Sequence, residues 1–189
     1  MEKYEISILK DLTNKIFLSP LIKTSEEGNI NILKTSSIEN KKIREDKFDL
    51  GETEKNIEEY FLKKDDIIFQ AKGSRLEAIL IEKEYENLIS KQSYFNIKVN
   101  KFLIDPKYLC WYLNNRVSKQ YFKMNSSGAI IKTINRKVLE NLKIIKPDLK
   151  KQKEISNLIS NFYTEKEKTL NYLERKELFI NEKIIKSIK

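Results

Sequence analysis

The chain has 189 residues, 40% of them hydrophobic and 34% charged, with a net charge of +9. That length holds one domain with a core, or a domain plus an extended element; no apolar run approaches the roughly 20 residues of a bilayer span, and the N-terminus lacks the basic-then-apolar order of a signal peptide, so a cytoplasmic, non-membrane protein is expected. The absence of histidine excludes Ser-His-Asp and Cys-His catalysis and removes the main zinc ligand, while the single cysteine, Cys110, excludes an internal disulfide or a thiolate metal cluster.

Residues 1–60 are the least regular part. Ile6-Ser-Ile8 and Ile30-Asn-Ile-Leu33 alternate as short strands, Thr35 to Lys42 reads as a polar loop, and Gly28 and Gly51 suit turns. A flexible surface loop from about Thr35 to Asn56 is expected. Residues 61–104 are strand-rich. Ile67-Ile-Phe69 has the unbroken apolar run of a buried strand, Gly73 turns the chain, and Ala78 to Ile81 and Tyr94 to Val99 are two further strands. Together they suggest a small sheet or partial barrel rather than a parallel α/β fold.

Asp105 is a good N-cap and Pro106 suits the first position of a helix whose apolar face is Tyr108, Leu109, Tyr112 and Leu113, running on towards Arg116 and Gln120. Cys110 lies among Leu109, Trp111 and Leu113, as a core or half-buried thiol does. Asn125 to Gly128 reads as a turn. A short helix is expected over Arg136–Leu142, capped by Thr133 or Asn135, followed by a last strand from Leu142 to Lys146. After Pro147 the pattern becomes one helix without Gly or Pro through Lys189. Ile155, Ile159, Phe162, Leu170, Leu173, Ile180, Ile184 and Ile188 form a single apolar stripe, interrupted at Lys166 and Glu177. Its mean step is close to 3.6 residues, which favours a straight or weakly supercoiled helix. Some 40 residues span roughly 60 Å. A rod of that length cannot fold back over so small a domain, so its stripe requires another long helix. The fold class expected is α+β: a small mixed domain with a short sheet and flanking helices over residues 1–146, then a long helix over residues 147–189.

Charge is uneven along the chain. Residues 1–100 carry 17 basic and 19 acidic side chains, a net of −2, whereas residues 101–147 carry 10 basic and only two acidic, a net of +8. A lysine excess spread by composition alone would not concentrate in this way, so an acidic partner, foremost nucleic acid, is expected on that stretch. Two enzyme patterns fail. Asp105-Pro106-Lys107-Tyr108 approaches the Asp-Pro-Pro-Tyr motif of amino-methyltransferases but lacks the second proline, and no Gly-x-Gly loop exists to hold S-adenosylmethionine or a dinucleotide. Pro147-Asp148 with Glu174-Arg-Lys176 mimics a nuclease pattern, yet on one helix these positions lie about 39 Å apart, too far to share a metal ion. No cofactor, metal site or catalytic residue is expected.

Five stretches, in this order, resemble the specificity (S) subunits of type I restriction-modification systems. Leu62-Lys-Lys-Asp-Asp66-Ile-Ile-Phe69-Gln-Ala-Lys72-Gly73-Ser74 is similar to the family's Gly-Asp-Ile-Leu-Phe-x-x-Arg-Gly strand and turn, with Lys64-Asp65 where Gly-Asp is usual. Ser90-Lys91-Gln92 matches its short Ser/Gln stretch. Ile104 to Asn115 fits its Pro-x-Tyr-Leu-x-x-Leu-Asn-Ser helix. Ser126-Ser127-Gly128, followed by Ile134, Leu139, Leu142 and Ile144, fits the close of the domain. Pro147-Asp-Leu149-Lys-Lys151-Gln152-Lys-Glu-Ile155 resembles the opening of its spacer helix, with Lys151 in place of the usual Glu. The resemblance covers about residues 60–189, and residues 1–60 match poorly.

The resemblance implies a non-catalytic subunit. Two target recognition domains, held apart by antiparallel spacer helices, read the two halves of a split DNA target, and methyltransferase (M) and motor-nuclease (R) subunits dock on the scaffold and do the chemistry. One domain with one helix corresponds to a half-length form, so an antiparallel homodimer reading a gapped palindrome on double-stranded DNA is expected. The DNA contacts expected are polar residues in turns and in the basic stretch: Lys72, Ser74 and Arg75 about Gly73; Ser90, Lys91 and Gln92; then Lys123, Asn125, Ser126, Ser127, Lys132 and Arg136. Arg75, Gln92 and Asn125 are of the types that read base edges, and the lysines of the type that meets phosphates. The rival reading is a helical scaffold that organises protein partners without reading DNA.

Overall fold

The computed structural model describes residues 4–188. Residues 1–3, which belong to the stretch read for a signal peptide, and Lys189, the last position of the expected helix, lie outside the described residues. Strand β1 (Glu5–Ile8) is followed by β2 (Thr13–Phe17), β3 (Lys23–Thr24) and β4 (Ile30–Leu33), then by β5 (Ile38–Glu39), β6 (Lys42–Ile43) and β7 (Asp49–Glu52). Next come β8 (Ile67–Gln70), β9 (Ala78–Leu80), β10 (Leu88–Ser90) and β11 (Tyr94–Val99). Three helices, α1 (Pro106–Asn114), α2 (Arg116–Asn125) and α3 (Arg136–Glu140), precede β12 (Lys143–Lys146) and the long α4 (Leu149–Ser187). The fold is α+β, with several small sheets and a long C-terminal helix.

The order β2-β11-β8-β9 forms an antiparallel sheet buried on both faces. Side chains alternate across it. Ile67, Phe69, Phe95 and Ile97 face Tyr108, Leu109, Leu113 and Phe122 of the helices, while Ile68, Ile79 and Tyr94 face Leu33, Leu62 and Leu88. Burial on two sides is why Ile67-Ile68-Phe69 shows no polar alternation. The Phe69 and Phe122 rings pack tilted at 48°, with centroids 4.7 Å apart, at the middle of the larger core. A second sheet, β10-β4-β7-β3, is antiparallel except where β10 runs parallel to β4, setting Leu88–Ser90 beside Asn31–Leu33. Strands β1 and β12 pair antiparallel.

Several expectations are corrected. The stretch from Thr35 to Asn56 is not an irregular loop: β5 and β6 form a hairpin and β7 lies inside a sheet. The hairpin turns on Asn40 and Lys41, whose φ values of 50° and 64° place both in the left-handed region without a glycine. Gly51 sits within β7, between Thr24 and Ile30, rather than in a turn. The helix expected to run from Asp105 towards Gln120 is two helices. Asn115 ends α1 in an extended conformation, and its side chain accepts from Ser118 N–H to cap α2. Asn135, not Thr133, caps α3.

Asp148 caps α4 by accepting from Lys151 N–H at 2.8 Å. The first turns of α4 dock on the start of α1 through buried Gln152, whose Oε1 accepts from Asp105 N–H and whose Nε2 donates to Pro147 O, both at 2.7 Å. Ser156 Oγ donates to Asp105 Oδ1 at 2.6 Å. Farther along, the β5–β6 hairpin touches the helix: Lys41 Nζ lies over the Tyr163 ring and Lys42 is ion-paired with Glu167. The helix ends at Ser187, so Ile188 lies just past its last turn.

Candidate nucleic-acid interface

Three loops meet at one end of the central sheet, where β8 ends and β11 begins. Ala71 joins them: its N–H donates to Ser93 O and its carbonyl accepts from Ile134 N–H, both at 2.8 Å. Gly73 N–H donates to Lys132 O at 3.0 Å. Gly73 has φ 131°, and a Cβ there would stand 2.7 Å from Gln70 Nε2, so the turn that brings it to Lys132 is restricted to glycine. Ser127 and Thr133 exchange backbone hydrogen bonds of 3.0 and 2.9 Å, and Lys72 bridges to Thr133 on the other side. The 71–76, 91–93 and 126–134 loops are thereby held as neighbours.

This arrangement gathers most of the sequence-predicted residues. Lys72, Ser74, Arg75, Lys91, Gln92 and Ser127 are exposed there, and Ser126 and Lys132 are half-buried. Lys123 and Asn125 are exposed on the last turn of α2, which leads directly into the third loop. Some of these side chains have local work. Asn125 Nδ2 donates to Tyr121 O and Ser126 Oγ to Lys123 O, closing α2. Arg136 is exposed on α3, two residues after Ile134, and is paired with Glu140 at 2.6 Å.

Ser90 is a correction. It is 1% exposed, and its hydroxyl donates to Asn96 Oδ1 at 2.7 Å in a buried network completed by Ser19. A hydroxyl committed inside the sheet cannot meet a partner at the surface.

Charges on this end are unevenly neutralised. Arg75 lies 3.6 Å from Glu77, and Lys91 lies 2.7 Å from Asp49. Lys34 and Lys91 together hold the Asp49 carboxyl below its ordinary range, Lys34 being the larger influence. Among the described residues, no ion pair engages Lys72, Lys123 or Lys132. Sequence reading missed two more cations of this kind, Arg116 and Lys119, which share an exposed face of α2 with Gln120 and Lys123. Their spacing of three, four and seven residues would have shown that face had the break at Asn115 been recognised.

Cys110 packs against the core, with Sγ 3.6 Å from Ala78 O, and burial pushes its thiol up to about 12. That is the reverse of an activated nucleophile. Among the described residues, no cluster of His, Cys, Asp or Glu could hold a metal ion, and no helix is long and apolar enough to cross a membrane.

The stripe of α4 is the second exposed feature. Ile155 packs partly against the core and Ile159 is half-buried, but Phe162, Leu170, Leu173, Ile180, Ile184 and Ile188 stand between 45% and 78% exposed. Tyr172 and Phe179, one heptad apart and off that stripe, are also exposed, as are Leu178 and Ile185. Sequence reading kept one stripe and missed these.

Comparison with known proteins agrees with this architecture. A family model described as the type I restriction modification DNA specificity domain matches residues 1–175, including the first 60, which carry none of the motifs. The chain is 28% identical over 145 residues to a putative type I restriction enzyme MjaX specificity subunit of Methanocaldococcus jannaschii, covering 75% of this chain and 32% of that protein. In fold it is similar to the type I restriction-modification S subunit of M. genitalium (TM-score 0.59, 16% identity, 86% of this chain and 39% of that one). It is likewise similar to the HsdS subunit of Thermoanaerobacter tengcongensis (TM-score 0.62, 12% identity, 88% and 43%). The chain spans about a third of the curated relative's length and about two fifths of each of these solved chains. A match over 175 of 189 residues places it: the chain belongs to the type I restriction modification DNA specificity domain family.

Proposed function

We propose that this chain reads one half-site of a split double-stranded DNA target in a type I restriction-modification assembly. In this reading residues 1–146 are a target recognition domain and residues 147–189 a spacer helix. The carrying observation is the convergence of three loops on Ala71, which gathers Lys72 and Lys132, free of ion pairs among the described residues, with Arg75 and Gln92, while Lys123 and Asn125 lie on the last turn of α2 that leads into the third loop. Lysines at such an edge neutralise phosphates, and arginine, glutamine and asparagine have the donor and acceptor pairs that match base edges.

The exposed stripe supports the second half of the reading. Two copies pairing antiparallel along α4 would cover Leu170, Leu173, Ile180 and Ile184 and set two recognition domains about a two-fold axis. The methyltransferase subunit, and in a restricting assembly the motor-nuclease subunit, would dock on that scaffold and supply all chemistry, with Tyr172 and Phe179 available for them outside the pair. The chain itself needs no cofactor in this scheme, and its place of action is the cytoplasm, where the DNA is. A protein scaffold without DNA reading accounts equally for α4 but leaves the convergence of unpaired lysines without a purpose.

Methylome sequencing of cells carrying this chain with its methyltransferase subunit tests the reading. The expected result is a methylated motif made of inverted half-sites separated by a constant gap. An asymmetric bipartite motif produced by this chain alone sinks the two-fold pairing, and the absence of any motif sinks the recognition role.

A further inference from the structure

The loop between α2 and α3 ends in an apolar point. Its base is closed by the paired Ser127 and Thr133, and Gly128 (φ 89°) packs so closely that a Cβ would lie 2.2 Å from Ile131 O. The loop is therefore narrow and held in one shape. At its tip Ala129, Ile130 and Ile131 face solvent, Ile130 being 96% exposed and Ile131 63%. Single exposed apolar side chains are ordinary, but two adjacent isoleucines on a rigid tip are a surface that gains by being covered.

Charge around the tip indicates what covers it. No acidic residue occurs between Asp105 and Glu140. Lys132 follows the tip directly, and Lys72 is bridged to its base at Thr133. A polyanion whose phosphates settle on Lys72 and Lys132 would have its interior, not its backbone, opposite Ile130 and Ile131. In duplex DNA the apolar group displayed on a base edge is the thymine 5-methyl in the major groove. Resting on the reading that this end of the sheet meets DNA, we propose that Ile130 and Ile131 recognise A·T pairs in the half-site by packing on thymine methyl groups. Specificity would then come partly from apolar contact and not only from Arg75, Gln92 and Asn125.

The test selects bound sequences from a random duplex pool, using the full chain with its methyltransferase subunit, and remakes the recovered duplex with deoxyuridine in place of thymidine. The parent is expected to bind the uracil duplex roughly fourfold more weakly per methyl contacted, the weight of one buried methyl group. The Ile130→Ser/Ile131→Ser variant should bind both duplexes alike, at the parent's uracil level, with the salt dependence of the parent. Both residues are exposed, so its melting temperature should be unchanged, which separates lost contact from lost fold. A parent indifferent to the methyl overturns the proposal, as would a tip that only wedges between base steps. A variant that keeps the parent's methyl dependence overturns it too, and does so equally if that variant sheds the methyltransferase subunit, since the tip is then a protein contact. A parent that shows no salt-dependent binding to any duplex defeats the broader reading, an outcome distinct from binding that ignores the methyl.

Discussion

The same residue types do opposite things in the two regions of this molecule. In the sheet-based region Ile67, Ile68, Phe69 and Phe122 are wholly buried, packed from both faces of one sheet. Along α4, after the first three turns, Phe162, Leu170, Leu173 and Ile184 are about half-exposed or more. The first region completes its core with its own chain. The second is complete as backbone, because a helix satisfies its own hydrogen bonds, but its side chains have no cover. Apolar pattern alone therefore records which residues seek burial, and only the fold tells whether the chain itself or a partner provides it.

Breaking the buried side should cost most. Phe122→Ala removes a ring packed against Phe69 and is expected to lower unfolding stability by about 3–5 kcal/mol, read by urea denaturation of the parent and variant. A loss under about 1 kcal/mol would mean that the core relaxes around the space. On the exposed side, Leu170→Glu/Leu173→Glu should leave that unfolding transition in place yet halve the particle mass in sedimentation, since each buried leucine contributes about 1.5–3 kcal/mol to a helix pair. An unchanged dimer, or a parent that is already monomeric, removes the pairing from the proposal.

The joint between the regions is the next test. Gln152→Ala leaves Asp105 N–H and Pro147 O without their partner, and should cost about 1–3 kcal/mol while loosening α4 from α1, visible as faster amide exchange in the first turn of α1. Smaller still is Lys132→Ala, expected to weaken DNA binding uniformly across sequences and to reduce the slope of log affinity against log salt by about one. A change of recovered motif instead would make Lys132 a base reader.

The smallest effect concerns pH. The folded state holds the Cys110 thiol up to about 12, so it retains the proton that the unfolded chain releases near pH 8.5. Folding stability from this group is therefore intact below that pH and declines as pH rises beyond it. A thiol reagent at pH 8 should label the denatured chain and spare the native one. Rapid native labelling would show that the region around α1 opens more readily than its packing indicates.

Legibility in the sequence followed the range of the interactions. Ile67 to Phe69 was readable because burial on two faces leaves an unbroken apolar run, and Asp105-Pro106 because a helix start is signalled within four residues. The β5–β6 hairpin was not, since its turn places Asn40 and Lys41 in the left-handed region without the glycine that announces such turns. Ser90 was misplaced because a serine beside Lys91 and Gln92 reads as surface, and only pairing with Asn96 and Ser19, from other strands and loops, shows that it is interior. The candidate site divides in the same way. Its residue types were visible in the turns and the basic stretch, but their meeting depends on Ala71 bonding to Ser93 and Ile134, residues far along the chain, and no local pattern encodes that.

The β5–β6 hairpin has a mechanical consequence for α4. A rod held at a single bearing, the Gln152 joint, would swing about it. The contacts of Lys41 with Tyr163 and of Lys42 with Glu167 add a second bearing some 11 to 15 residues farther on, about 16–22 Å along the axis. Two bearings define a direction. Whatever is mounted on the far end of the helix is thus aimed relative to the three converging loops, and the pitch of that aim is set by a six-residue hairpin whose Glu39, Asn40 and Lys41 border Arg75 of the first loop.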